Sequence, residues 1–467
     1  MAKDKEKVAY IMNLLGRKRG VEVNISHDND SDREINKLDS EDDFEDIYSS
    51  HLKSSMIHKI ANPEFSFNPQ DSPIKDDYIS KTVDDQEDTE MLILECYKEH
   101  PQLQFSDKLH LAYVRKSLQS QLPHYYNSLD ANHPWMMYWL ANPQSLISEE
   151  PLTAQIVDLI NDKISRCIRS EGLGGIAGGA NQMGHAASTY AGVLSLILTE
   201  NYELLDKIRH NLYKWFISLK LPNGSFAMHV GGESDTRSTY CVLSVAAILN
   251  IVTDELVEKT AEWLLSCQTY EGGFAGVPYT EAHGGYSFCA LASFFILYNK
   301  KSQFQEKSSV HLDALIKWAV SRQYGVEGGL SGRTNKLVDA CYSFWIGALY
   351  PMLESVTGEG ELFSREALGH YILRCAQAEG GGFRDKPGKS VDFYHTNYTL
   401  CGLSLCETLF TIDDDDEKED SIPLAFKFMY KTIDSNSFTG PINPVYGLPF
   451  DLTNTCRDHF YRLDNEA

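Results

Sequence analysis

Asp339 and Cys341 stand two residues apart, and His395 follows about fifty residues on. If the fold sets these positions side by side, they offer a carboxylate, a thiolate and an imidazole to one divalent ion. Three protein ligands with one open position are typical of catalytic zinc, whereas structural zinc usually closes with four Cys or His. An ion there can bind water for hydrolysis or hold a substrate thiol as thiolate, and spacing alone leaves both open. It equally leaves open a plain arrangement in which Asp339 caps a helix, Cys341 packs in the core and His395 is a satisfied polar residue. Two cations precede the cluster. Arg333 offers a fork of donors and Lys336 a point charge, so with His283 and Tyr342 they can surround phosphate oxygens from several sides. Asp385, set in the basic run Arg384-Asp385-Lys386-Pro387-Gly388-Lys389, is a candidate for assisting Mg2+ on a diphosphate.

What must position these groups is a repeat. From Leu173 onward a Gly-rich turn is followed about fifteen residues later by an aromatic that opens an apolar run. The turns are at Gly174-Gly175, Asn223-Gly224, Gly272-Gly273, Gly328-Gly329 and Gly381-Gly382; the aromatics are Tyr190, Tyr240, Phe288, Phe344 and Tyr398, spaced 50, 48, 56 and 54 residues apart. Runs such as 191–198 and 289–296 are apolar all round and must be buried, whereas Val257–Cys267 has a wet face. Alternation of the two predicts an all-α fold, an α/α barrel (toroid) of about six helical hairpins around a funnel-shaped central cavity. Segments around Pro134 to Leu140 and Pro441 to Phe460 are the candidates for closing the sixth unit. Equivalent positions then share one end of the barrel. Five residues before the aromatic stand His185, Asp235, His283, Asp339 and Phe393; three before it stand Ala187, Arg237, Gly285, Cys341 and His395. Aromatic walls built from Trp135, Tyr138, Trp139, Tyr240, Tyr286, Trp345, Tyr394 and Tyr398 suit a long hydrocarbon whose charged head reaches the rim.

Composition narrows the class. The chain has 467 residues, 42% of them hydrophobic, and no apolar run reaches the 18 or so residues of a membrane span. Its N-terminus has no apolar segment of signal-peptide type, so the expected address is cytoplasmic. Ten scattered cysteines without a CxxC pair are expected to be reduced thiols. A formal charge of −24 argues against nucleic-acid binding and requires any anionic substrate to be held by a local basic pocket. Residues 1–94 are expected to form an acidic, partly disordered extension, and 95–467 the barrel domain, with an acidic loop near 413–420.

At this point a family resemblance enters. Gly332 to Trp345, with the run Arg333-Thr334-Asn335-Lys336-Leu337-Val338-Asp339-Ala340-Cys341-Tyr342, resembles the zinc-site motif of protein prenyltransferase β subunits. Asp385-Lys386-Pro387-Gly388-Lys389-Ser390 followed by Asp392-Phe393-Tyr394-His395-Thr396 is similar to the farnesyl-transferring members. Segments 281–286, 229–233 and Pro134-Trp135 agree, and the likeness spans about residues 95 to 460. The resemblance implies a toroid paired with a helical-repeat α subunit, moving farnesyl from farnesyl diphosphate to the cysteine of a C-terminal CaaX sequence, on substrates such as Ras-like GTPases. It assigns Asp339, Cys341 and His395 to one Zn2+; His283, Arg333, Lys336 and Tyr342 to the diphosphate; and Asp385 to Mg2+. Arg237, Tyr240, Tyr286 and Trp345 would line the isoprenoid path, and Trp135, Trp139 and Tyr394 the pocket for the last peptide residues. His185, Glu233 and Arg237 would hold a water on the peptide carboxylate. Bulk at Trp135 and Tyr398, and an aspartate at 385, favour farnesyl over geranylgeranyl within that family. The remaining alternatives are a type I geranylgeranyltransferase β subunit, a terpene cyclase and a non-catalytic scaffold.

Overall fold

A computed structural model describes residues 80–168, 174–412 and 428–465. The acidic stretches expected to be extension and loop, apart from 80–94, lie outside the described residues. In chain order the helices are α1 (Lys81–Glu99), α2 (Asp107–Gln119), α3 (His133–Ile147), α4 (Ala154–Cys167), α5 (Ala186–Leu198), α6 (Tyr202–Leu219), α7 (Thr236–Ile248), α8 (Thr260–Ser266), α9 (Gly284–Leu297), α10 (Leu312–Val320), α11 (Tyr342–Trp345), α12 (Leu349–Thr357), α13 (Arg365–Tyr371), α14 (Phe393–Glu407) and α15 (Phe450–Asn465), with four short one- or two-turn helices between them among the described residues. Two small antiparallel hairpins complete the architecture: β1 (Phe383–Arg384) with β2 (Val391–Asp392), and β3 (Thr408–Ile412) with β4 (Phe428–Thr432).

Helices α3, α5, α7, α9, α11 and α14 each pack against the next, and α14 packs back against α3, so the inner ring is closed. Their composition demands this: every residue of α5 except Ala187 is buried. The outer helices are amphipathic, as in α4, where Ile156, Ile160, Ile164 and Cys167 turn one face inward. Pro134 to Leu140 lies in α3 and, with α2 outside it, supplies the sixth hairpin as expected. The segment after Pro441 does not. Instead the carbonyls of Val445, Tyr446 and Gly447 accept hydrogen bonds from the hydroxyls of Tyr240, Tyr190 and Tyr138, at 2.7, 2.9 and 2.5 Å, so residues 443–449 plug the ring from within and α15 packs on α5 and α7. Hydroxyls buried by the apolar ring need acceptors, and this irregular segment supplies its carbonyls.

Five of the six inner helices are tied at their start to the turn of the following unit. The amides of His133, Ala186, Thr236, Gly284 and Ala340 donate to the carbonyls of Gly178, Met228, Gly276, Gly332 and Asp385, at 2.7 to 3.0 Å. Five equivalent bonds hold the helix starts at one end of the ring, which is what brings the two sequence columns together. The glycine turns seal the outside. At Gly272 and Gly381 φ is +106° and +88°, and a Cβ would lie 2.1 and 2.2 Å from the carbonyl oxygens of Ala314 and Leu109. Leu109 belongs to α2, so Gly381 closes the outer ring between the last unit and the first. Gly381→Ala is expected to cost about 2–3 kcal/mol from left-handed strain and collision with backbone. A denaturant titration showing a loss below about 0.5 kcal/mol would mean that the turn moves aside.

Helix α1 straddles the boundary expected at 94. Its Thr89, Glu90, Ile93 and Tyr97 are buried, and the Tyr97 hydroxyl donates to the Glu327 carbonyl at 2.6 Å, so the folded part begins before residue 95. Among the described residues no helix is long and apolar enough to cross a membrane.

Candidate active site

Asp339, Cys341 and His395 meet at the mouth of the ring, their ligand atoms all within 4.8 Å of one another. The turn bridged at Ser331 and Val338 delivers Asp339 to the end of the inner ring, where its carboxylate accepts the Cys341 amide at 2.9 Å. The plain cap therefore exists, but it accounts for only one carboxylate oxygen. Asp392 caps α14 through the His395 amide at 2.8 Å and also reaches His395 Nδ1 at 2.6 Å, fixing the ring so that Nε2 faces Asp339 Oδ1 at 3.2 Å. That Nε2 is buried and has no well-directed hydrogen bond, only this contact with Asp339. An imidazole nitrogen so placed between a carboxylate and a buried thiol fits a bound metal ion.

Electrostatics agree. Burial disfavours the His395 imidazolium, but the carboxylates of Asp339 and Asp392 outweigh it and raise its pKa to about 10. Burial, with Asp339 nearby, pushes the Cys341 thiol well above its ordinary value. Burial also works against the Asp339 carboxylate, yet His395 and the Cys341 amide hold it below its usual range. A metal ion must therefore displace protons from both His395 and Cys341. Apparent affinity is expected to rise about a hundredfold per pH unit near neutrality, the slope for two released protons. Calorimetry of Zn2+ binding in buffers of different ionisation heat counts them, and a pH-independent affinity would contradict the assignment.

Beside this cluster, His283 Nδ1 accepts the Gly285 amide at 3.0 Å, which leaves the proton on Nε2 to be donated to the Tyr342 hydroxyl at 3.0 Å. Burial, then the Arg333 charge, lowers the His283 pKa to about 4, so it is a neutral donor at pH 7 and frees the Tyr342 proton for another acceptor. Arg333 pairs with Glu281 at 2.6 Å, and both are substantially exposed. An anion arriving here competes with a screened surface pair, which is a small cost. Lys336 is exposed on the same turn. The Asp385 carbonyl holds the Ala340 amide and the Tyr371 hydroxyl, and its carboxylate is paired with Lys386. Burial and the nearby Asp339 raise the Asp385 pKa, so a second cation at this point would relieve a crowded negative site.

Inside the rim runs an unbroken aromatic belt. Ring centroids are 5.5 Å apart for Trp139–Tyr394 and for Trp135–Trp139, 5.7 Å for Trp135–Tyr190, 5.4 Å for Tyr190–Tyr240, 5.1 Å for Tyr240–Phe288 and 5.2 Å for Phe288–Trp345. Trp345 Nε1 donates to the Tyr394 hydroxyl at 2.9 Å and closes the circle. Of the residues expected along the hydrocarbon and peptide, Trp135, Trp139, Trp345, Tyr394 and Tyr286 keep partly open faces. Tyr240 and Tyr398 are covered, 2% and 1% exposed, the first on the floor and the second beneath Trp345 at 4.3 Å. Arg237 is held by Asp235 at 2.6 Å and lies over Tyr286, and with Glu233 and His229 its charge is felt at His185.

The two columns bring together the metal cluster, His283, Arg237 and His185. They miss Asp392. The last unit is shifted by one residue, so its cap stands six rather than five before Tyr398, and the column pointed to Phe393, which is buried. An aspartate three residues before the candidate ligand, at a helix start, was the available signal.

Residues 105–448 match the family described as the prenyltransferase alpha-alpha toroid domain. The chain is 36% identical over 406 residues to the Schizosaccharomyces pombe protein farnesyltransferase subunit beta, covering 82% of this chain and 98% of that one. With the Saccharomyces cerevisiae protein farnesyltransferase subunit beta it shares 39% over 365 residues, 77% and 81% of the two chains. In fold it is similar to Candida albicans protein geranylgeranyltransferase-I complexed with GGPP, with a TM-score of 0.60 at 19% identity over 76% of this chain and 99% of that chain. A closed helical ring with a candidate metal cluster at its mouth, together with these similarities, places the chain in the protein prenyltransferase family of enzymes, among the farnesyltransferase β subunits.

Proposed function

We propose that this chain is the catalytic β subunit that, with a prenyltransferase α subunit, transfers farnesyl from farnesyl diphosphate to the cysteine thiol of CaaX-terminated proteins in the cytoplasm. The observation that carries the reading is the Asp339–Cys341–His395 cluster set beside the His283–Tyr342 pair and above an aromatic belt. Asp339, Cys341 and His395 would hold Zn2+, which when bound keeps the peptide sulfur as a nucleophilic thiolate. Arg333, Lys336 and the Tyr342 hydroxyl, the last oriented by His283, stabilise negative charge as it develops on the departing diphosphate. Asp385 adds a carboxylate for Mg2+ on that diphosphate. Trp345, Tyr286 and Trp135 confine the hydrocarbon so that its first carbon stays near the sulfur, replacing a bimolecular encounter by a held geometry. Trp139 and Tyr394 border the space for the peptide's last side chains, and His185, Glu233 and Arg237 form a polar patch for its carboxylate.

Transfer of labelled farnesyl and geranylgeranyl to a CaaX peptide, by the chain co-expressed with an α subunit and with Zn2+ and Mg2+ varied, tests this. Farnesyl preference with Mg2+ stimulation is expected. Geranylgeranyl preference would keep the fold and overturn the weight placed on Trp135 and Tyr398, and no transfer of either would leave a scaffold.

A further inference from the structure

Two neighbouring turns of the rim are joined through their side chains. Arg333, on the turn 331–338, donates from Nη1 to Glu281 Oε2 at 2.6 Å, and Glu281 stands two residues before His283 at the end of the preceding turn. One residue on, the Thr334 hydroxyl donates to Glu271 Oε2 at 2.9 Å. From behind, the Tyr324 hydroxyl donates to the Lys336 carbonyl at 2.8 Å. The turn is therefore held by contacts that do not involve the Arg333 side chain, and opening the Arg333–Glu281 pair frees two side chains while these bonds keep the backbone in place. Both side chains have the freedom to do so: they are 37% and 47% exposed, and exposed side chains change rotamer in picoseconds to nanoseconds. The guanidinium is also only partly engaged. Among the described residues Nη1 has this one partner, and Nε and Nη2 have none. Arginine carries five donors in a fixed fork, so an anion can take the free ones before the carboxylate lets go.

We infer that Glu281 is a positioning residue which holds Arg333 when no diphosphate is bound and competes with the departing diphosphate for its guanidinium, so that product leaves faster. The inference rests on the reading of Arg333 as a diphosphate donor. Transfer breaks the bond between the first isoprenoid carbon and its oxygen. That oxygen keeps the electron pair, so the free diphosphate carries one more ionisable oxygen than the esterified one. A rim made only of Arg333, Lys336, His283 and Tyr342 would grip the product more firmly than the substrate. A carboxylate tethered to the neighbouring turn takes back the guanidinium as soon as the product loosens, which shortens its stay. The charge of Glu281 reaches the donors as well: after burial, Arg333 lowers the His283 pKa and Glu281 raises it. An exposed pair of this kind shifts an equilibrium by up to about fivefold, enough to tune release and too little to keep substrate out. Glu271 does not share the role, because its partner is the neutral Thr334 hydroxyl.

The probe is inorganic diphosphate, and the protein is the full chain co-expressed with an α subunit. Affinity and dissociation rate are measured for the unsubstituted enzyme, Glu281→Gln, Arg333→Gln and the double variant. Glu281→Gln is expected to tighten binding about three- to fivefold, with the change in the dissociation rate. Arg333→Gln should weaken binding, and on that background Glu281→Gln should change nothing, because the guanidinium for which it competes is gone. Glu271→Gln removes the same charge from the same unit and keeps an oxygen for Thr334, so it should leave the affinity unchanged. Tightening that persists without Arg333, or equal tightening in Glu271→Gln, would mean a general field effect and overturn the inference, as would unchanged binding in Glu281→Gln. Undiminished diphosphate affinity in Arg333→Gln would overturn the reading of the rim itself, and the inference with it.

Discussion

Cys341→Ala is expected to lower turnover about a thousandfold and to remove the bound metal, while leaving affinity for the isoprenoid diphosphate within about threefold. The thiol is one of three ligands clustered within 4.8 Å, so two are left, too few for a stable tetrahedral site with an open position. The proposed diphosphate donors His283 and Tyr342 are bonded to each other, and His283 also to the Gly285 amide, without help from Cys341. Truncating one buried cysteine costs only about 1 kcal/mol of packing, so the ring should survive. Metal analysis, single-turnover transfer and isoprenoid titration on the same preparation separate the effects. Loss of isoprenoid binding together with the metal would contradict the division between cluster and rim.

The second large effect is expected at Asp392, which stands outside the three-residue cluster and holds His395. Asp392→Ala should weaken metal affinity about 10- to 100-fold, the usual cost of removing the carboxylate that orients a ligand histidine. Two changes oppose each other. Without the 2.6 Å bond to Nδ1 the His395 ring is free to turn, yet it also loses a proton more easily, because one of the two carboxylates that raise its pKa to about 10 is gone. The pH profile distinguishes them: the variant should bind more weakly at every pH but with a shallower rise between pH 6 and 8. Asp392→Asn, whose single oxygen can take the His395 amide or the Nδ1 proton but not both as the two carboxylate oxygens do, should recover only part of the affinity. An alanine variant with unchanged affinity would make Asp392 a helix cap and nothing more.

The periodic part of this molecule was legible because its period is physical. An inner helix apolar on every side admits only an enclosed position, and the same turn before each helix puts equivalent residues at the same end, so Asp339, Cys341, His395 and His283 converge as the columns require. What escaped was whatever departs from the period. Asp392 sits one residue off its column. The fifth inner helix is broken after Trp345, where the Gly347 amide reaches back to Tyr342 rather than to the residue four before it, and a Cβ at Gly347 would lie 1.9 Å from the Ser343 carbonyl oxygen. Ile93 and Tyr97 already carried the i, i+4 spacing of a packed helix, but the acidic surroundings of α1 outweighed it in the composition. Segment 443–449 has no repeat to match, and its role depends on tyrosines some 200 to 310 residues away that only the closed ring collects.

That segment also sets an order of events during synthesis. The ring closes when α14 meets α3, yet the carbonyls that receive the hydroxyls of Tyr138, Tyr190 and Tyr240 leave the ribosome some forty residues later. A nascent chain released to residue 407 is a hollow hoop with three polar groups facing its empty base, each costing about 1–3 kcal/mol until it is met. The native state is sealed last and from the C-terminal side, so a stalled or prematurely terminated chain lacks its base although every ring helix has been made.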